Sequence, residues 1–175
     1  MGDRTTVQCR SGEKAVSLRG FYQLGYVTRN LEGAIKLLGA GFDLSDFNHF
    51  DVDLPLRTPT GSKTASVRVG TAWVGRVQVE VIQPISGFVD SYVASLPAEA
   101  TDPTPRFHHV AVRRESIEEM ERDVAELELP VVFRTGGAGV DSIFVDARSR
   151  LGHHLEFVCA TPEGWAMLGW PGASS

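Results

Sequence analysis

Residues 21–28 read Phe21-Tyr22-Gln23-Leu24-Gly25-Tyr26-Val27-Thr28, and residues 107–112 read Phe107-His108-His109-Val110-Ala111-Val112. A shift of 86 residues lays Gln23-Leu24-Gly25-Tyr26 on His109-Val110-Ala111-Val112. The same shift lays Asn30 on Ser116, Leu31 on Ile117 and Ala34 on Met120. A shift of 76 residues lays Val79-Glu80-Val81-Ile82 on Leu155-Glu156-Phe157-Val158. The chain is an internal repeat, and its second half is shorter by about ten loop residues.

Working outward, 21–28 is rich in β-formers and predicts a strand. Asn30 is placed to cap a helix carrying Leu31, Ala34, Ile35 and Leu38 on one face, with Gly39 and Gly41 stopping it. A strand is expected around Phe42–Val52. Residues 53–63, with Pro55, Pro59 and Gly61, read as a loop, and Thr64–Val74 and Arg76–Pro84 read as strands joined at Gly75. A short helix is expected near Val89–Leu96. In the second half, Ser116 and Glu119 have capping-box spacing before a helix reaching about Leu127. Strands follow at Leu129–Arg134, Val140–Asp146 and His153–Cys159. The Gly136–Gly139 run lacks the Lys-Ser/Thr of a phosphate loop and reads as a hairpin turn. Each half is thus βαβββ, an α+β arrangement, and such a module leaves one sheet face bare to pack on a second. The divisions are an extension over 1–19, a first module over 20–86, a linker over 87–105, a second module over 106–160 and a tail over 161–175.

Composition narrows the function. The 175 residues are 42% hydrophobic and 22% charged, which suits a globular chain rather than a disordered one. The net charge of −5 argues against nucleic acid and anionic membrane as partners. No apolar run approaches the roughly 20 residues of a spanning helix. Residues 1–10 lack a signal peptide's apolar core, so a cytoplasmic location is expected. Cys9 and Cys159 are expected to be reduced.

The repeat marks four equivalent polar positions within otherwise apolar strands. Gln23 matches His109 on the opening strands, and Glu80 matches Glu156 on the closing strands. A carboxylate on an inward strand face is costly unless paired or bound to a cation. Two carboxylates, an imidazole and an amide oxygen suit a divalent ion such as zinc, nickel, cobalt, iron or manganese. By strand alternation His108 faces away from His109. His154 shares the face of Glu156, and Gln78 is its match, so both are candidate pocket residues.

Taken together, the repeat, Gln23-Leu24-Gly25-Tyr26-Val27, Val79-Glu80-Val81-Ile82-Gln83-Pro84, Phe107-His108-His109-Val110-Ala111-Val112 and Leu151-Gly152-His153-His154-Leu155-Glu156-Phe157 resemble the vicinal oxygen chelate superfamily, the glyoxalase, bleomycin-resistance and dioxygenase group. The run from Asp146 to Phe157 is similar to its glyoxalase- and methylmalonyl-CoA epimerase-like branch. The resemblance implies two βαβββ modules whose curved mixed sheets form a cup around a metal site. Its ligand positions fall on Gln23, Glu80, His109 and Glu156, an order similar to the zinc glyoxalase I set of the eukaryotic type. Methylmalonyl-CoA epimerases usually show His, Gln, His, Glu, so the first two positions depart from them.

The implied activity is that of a metal-dependent isomerase, epimerase or lyase on an enolisable carbonyl compound, through a metal-stabilised enolate. Glu156 is the expected base and Glu80 its counterpart. A homodimer is expected by the same resemblance. The alternative is a non-catalytic small-molecule binder of the bleomycin-resistance type, against which the full ligand set counts. An extradiol dioxygenase needs two His and one Glu, and Gln23 stands where its first His would be.

Overall fold

Asn30 and Ser116 start the two long helices as their spacing predicts. Asn30 is extended, and its side-chain oxygen accepts from the Gly33 N–H at 3.0 Å. Ser116 Oγ accepts from the Glu119 N–H at 3.1 Å, while the Glu119 carboxylate accepts from the N–H of Glu115, one residue before the cap. The structure, a computed structural model, describes residues 18–44 and 46–171. The expectations for Cys9 and for most of the N-terminal extension lie outside the described residues.

The first half consists of β1 (Phe21–Val27), α1 (Leu31–Phe42), β2 (Asn48–Thr58), β3 (Gly61–Val74) and β4 (Val77–Gly87). The short α2 (Asp90–Val93) leads to β5 (Arg106–Arg113), α3 (Ile117–Leu127), β6 (Val131–Gly137) and β7 (Val140–Val145). One helical turn, α4 (Arg148–Leu151), precedes β8 (His154–Ala160), and α5 (Pro162–Met167) follows it. None of these helices is long and apolar enough to cross a membrane.

The strands close into one barrel in the order β1-β4-β3-β2-β6-β7-β8-β5. The fold is α+β, with both halves contributing to one curved mixed sheet. β1 and β5 run antiparallel at its centre, with Gly25 opposite His109 and Gln23 opposite Ala111. Each is flanked by a parallel neighbour, β4 beside β1 and β8 beside β5. Far from this centre β2 and β6 pair at Leu56↔Thr135 and Arg57↔Arg134, beside a hydrogen bond from Thr135 Oγ1 to the Pro55 carbonyl at 2.9 Å. These pairings cover within one chain the module edges that would otherwise invite a partner strand.

The helices cover the outside. Leu31 and Ala34 of α1 bury against Val81, and α1 comes so close to β3 at Gly70 that a Cβ there would press on Leu31 and Ile35. Met120 and Val124 of α3 pack on Val112, Ile143 and Phe157. This packing carries α1 through Gly39 and Gly41, contrary to expectation. An interior glycine costs about 1 kcal/mol, less than the burial of that apolar face returns. The helix ends instead at Asp43, in the left-handed region with φ 54°.

Two expectations about the strands of the first half are corrected. The loop expected at 53–63 is a long hairpin of β2 and β3, turning between Thr58 and Gly61. Pro55 sits inside β2, which a strand with so little pairing on its other side tolerates. The strand expected from Phe42 accordingly begins at Asn48. The segment read as a tail contains α5, capped by Thr161 Oγ1 on the Gly164 N–H. Trp165 and Trp170 then pack on Tyr22, with Trp170 also against Trp73.

Candidate functional site

The opening strands of the two halves carry the same irregularity. On β1 an extra residue, Tyr22, lies between the pairs Phe21↔Val112 and Gln23↔Ala111. On β5 an extra residue, His108, lies between Gly25↔His109 and Tyr26↔Phe107. A β-bulge of this kind re-aims the side chains around it. Tyr22 and Gln23 both line the barrel's cavity. His108 and His109 are both buried, their Nδ1 atoms 3.1 Å apart. The alternation argument that sent His108 to the opposite face fails for this reason.

Gln23, Glu80, His109 and Glu156 come together in one chain. His109 Nε2 lies 3.3 Å from Gln23 Oε1, 3.4 Å from Glu80 Oε2 and 3.5 Å from Glu156 Oε2. The ring lies over Gly25, where any Cβ would overlap it. Burial alone would lower the pKa of His109. Hydrogen bonds to Glu156 and Glu80, and their negative charge, outweigh it and raise the value to about 9.

The orientation of two of the four donors, Gln23 and His109, is traceable to main-chain carbonyls, which can only accept. The carbonyl of Leu168, just past α5, accepts from Gln78 Nε2 at 3.1 Å. Gln78 therefore presents its oxygen to Gln23 Nε2, 2.7 Å away, and Gln23 is left with its oxygen toward His109. On the other side the carbonyl of Ser91 accepts from His108 Nε2 at 3.1 Å. Burial, with the neighbouring charge of His109, lowers the pKa of His108 to about 2, so its ring is neutral and its Nδ1 accepts from His109 Nδ1–H. His109 is thereby held with Nε2 toward the three oxygens. These linking side chains have no sequence signature beyond being polar.

Gln78 lines the cavity. Its match, His154, does not. It is buried behind the site with its ring stacked on His108 at 4.5 Å. His153 packs on Phe107. Arg148 is paired with Asp146 at 2.7 Å. Sequence reasoning missed Tyr92, which comes from α2 to the cavity wall, and the α5 edge at Met167, Leu168 and Gly169. Burial, then the charges of Glu156 and Glu80, push the Tyr22 and Tyr92 phenols well above their ordinary range, so both stay neutral.

The four donors suit a divalent ion in chemistry. Among the described residues, however, no group of three or more His, Cys, Asp and Glu side chains is set around a common ion position. In this structure the imidazole holds the cation's place between the two carboxylates. A proton on Nε2 and a metal at that nitrogen are alternatives.

Residues 22–145 match the family model described as Glyoxalase/Bleomycin resistance protein/Dioxygenase superfamily. No curated protein matches the chain. Among solved structures, a variant of Streptomyces coelicolor methylmalonyl-CoA epimerase in complex with 2-nitronate-propionyl-CoA superposes with a TM-score of 0.59. It is 13% identical, over 85% of this chain and 99% of that one. The methylmalonyl-CoA epimerase of Mycobacterium tuberculosis gives 0.53 at 16% identity, over 89% and 97%. A hypothetical protein of Bacillus halodurans gives 0.54 at 19%, over 81% and 94%. At these identities the likeness is one of fold.

Proposed function

This chain belongs to the glyoxalase/bleomycin resistance protein/dioxygenase superfamily, and on that premise we propose that it is an isomerase, epimerase or lyase acting on an enolisable carbonyl compound. The observation that carries the reading is the pair Glu80 and Glu156, matched in the repeat and both within 3.5 Å of one imidazole nitrogen at the cavity wall. Gln23 Oε1, Glu80, His109 Nε2 and Glu156 would hold a divalent ion: zinc, nickel, cobalt, iron or manganese. Such an ion, when bound, acts as a Lewis acid on the substrate carbonyl.

The chain's own residues do the rest. The Glu156 carboxylate takes the proton from the carbon beside the carbonyl, and the C–H bond pair moves toward the carbonyl oxygen. Glu80 on the other side delivers a proton that it already holds to that carbon, giving epimerisation, or to its neighbour, giving isomerisation. Glu156 ends the turnover protonated and Glu80 deprotonated, and exchange with solvent after release resets both. Glu80 and Glu156 are each only 17% exposed, and the apolar walls around them limit water that would compete for the transferred proton. The epimerase relatives carry a CoA ligand or a CoA name in their own right, which supports a small-molecule partner here. A cytoplasmic homodimer is part of the same proposal.

The test is a screen of carbonyl compounds in D₂O, followed by NMR. Deuterium entering the carbon beside the carbonyl with the native protein, and not with Glu156→Gln, is the expected result. No exchange in any compound that binds would overturn the reading.

A second reading is favoured by one observation. His109 already supplies a cation between the carboxylates, so the barrel is a complete cup as a metal-free binder. In that case ligands bind and no deuterium enters.

A further inference from the structure

The barrel encloses a cavity of about 770 Å³, in the range that takes up a drug-sized molecule. Its walls are largely apolar and aromatic: Phe50, Val52 and Leu54 of β2, Phe133, Phe144 and Tyr92. Its charged lining residues, Asp46, Asp53, Glu80 and Glu156, are all acidic, and among the described residues no Lys or Arg lines it. An anion entering a low-dielectric cup walled by carboxylates is repelled, and the His109 cation, fully buried and held between Glu80 and Glu156, is not among the lining residues that would meet it. Two arginines on the barrel strands are engaged elsewhere, Arg68 with Asp51 at 3.0 Å and Arg134 with Glu121 at 3.0 Å.

We propose that the cavity takes a bulky, uncharged, largely apolar carbonyl compound whole, and discriminates against anionic conjugates such as acyl-CoA thioesters and glutathione adducts. This rests on the reading of the cup as the substrate site. The polar groups available to a neutral ligand are few and spaced along the wall: Asn48, Thr71, Thr135 and Ser142 beside the carboxylate pair. That pattern fixes orientation through one or two oxygens and leaves affinity to apolar contact.

The experiment is a fluorescence titration of chelator-treated protein with neutral Nile red and with anionic anilinonaphthalene sulfonate. Displacement by progesterone, an uncharged polycyclic ketone, is compared with displacement by butyryl-CoA. Nile red is expected to saturate at one per chain and to be displaced by the ketone. The sulfonate and butyryl-CoA are expected to bind at least tenfold more weakly. Val52→Trp, which fills the wall, weakens Nile red at least tenfold. Met167→Arg, at an exposed rim position, narrows the gap between neutral and anionic probes.

Butyryl-CoA binding as tightly as the ketone would overturn the proposal. So would Nile red affinity unchanged in a folded Val52→Trp, or absence of a saturable site. The titration involves no metal and no turnover. A failure of the proton-transfer reading therefore leaves its outcome untouched, and the reverse also holds.

Discussion

Gln23 Nε2 donates to Gln78 Oε1 across 2.7 Å, and this bond decides which atom of Gln23 faces His109. Because Gln78 is itself oriented by the Leu168 carbonyl, the end of α5 sets the orientation of a donor on β1. Outer groups that orient a ligand are commonly worth 10–100-fold in metal affinity. Gln78→Leu is expected to lower affinity for zinc by about tenfold or more with the fold intact, measured against a chromophoric chelator. Affinity equal to that of the native protein would show that Gln23 needs no such support.

His108 plays the matching part for His109. His108→Phe keeps a ring to stack on His154 and Phe144 but removes the acceptor for His109 Nδ1–H. It also strips the Ser91 carbonyl of its donor, at a cost of about 1–3 kcal/mol in stability. Zinc affinity is expected to fall by about 10–100-fold. A fall in thermal stability without any change in affinity would assign His108 to packing alone.

Gly25 leaves room for the imidazole to cross the sheet. A methyl group there overlaps the His109 ring and forces it off its three oxygens. Gly25→Ala is expected to destabilise by about 1–3 kcal/mol, the range for overpacking a core. It should also abolish metal uptake, as followed by denaturant melts and metal analysis. An unperturbed variant would mean that the ring is not held where the structure puts it.

The raised pKa of His109 has a sign that can be measured in metal-free protein. The value is 6.5 in the unfolded chain and about 9 in the folded one. Its contribution to stability is therefore complete below about pH 6.5 and is lost as pH rises through about 9. The melting temperature is expected to fall between those values, and His109→Gln is expected to flatten that fall. Metal uptake at pH 7 should release a proton, because the ion replaces it on Nε2.

Much of this was legible in the sequence, for a physical reason. A repeat with polar residues at matched strand positions specifies both the topology and the four side chains that meet, since pairing and burial act on each half alike. Gln23 Oε1, Glu80 Oε2 and Glu156 Oε2 lie within 3.5 Å of His109 Nε2. What local patterns missed depends on distant contacts. The bulges at Tyr22 and His108 are produced where β1 meets β5, so alternation within β5 misassigned His108. Pro55 suggested a loop because the few pairs between β2 and β6 cannot be seen locally. His154 matches Gln78 in the repeat, yet it stacks on the bulged His108 instead of lining the cavity.

The central claim is that Gln23, Glu80, His109 and Glu156 hold one divalent ion that serves proton transfer. It is tested most directly by elemental analysis of the purified, unsupplemented protein beside Glu156→Gln and His109→Ala. About one divalent ion per chain, lost or much reduced in both variants, is the predicted result. A native protein that carries none, and takes up none on titration with zinc, nickel, cobalt, iron or manganese, would contradict it.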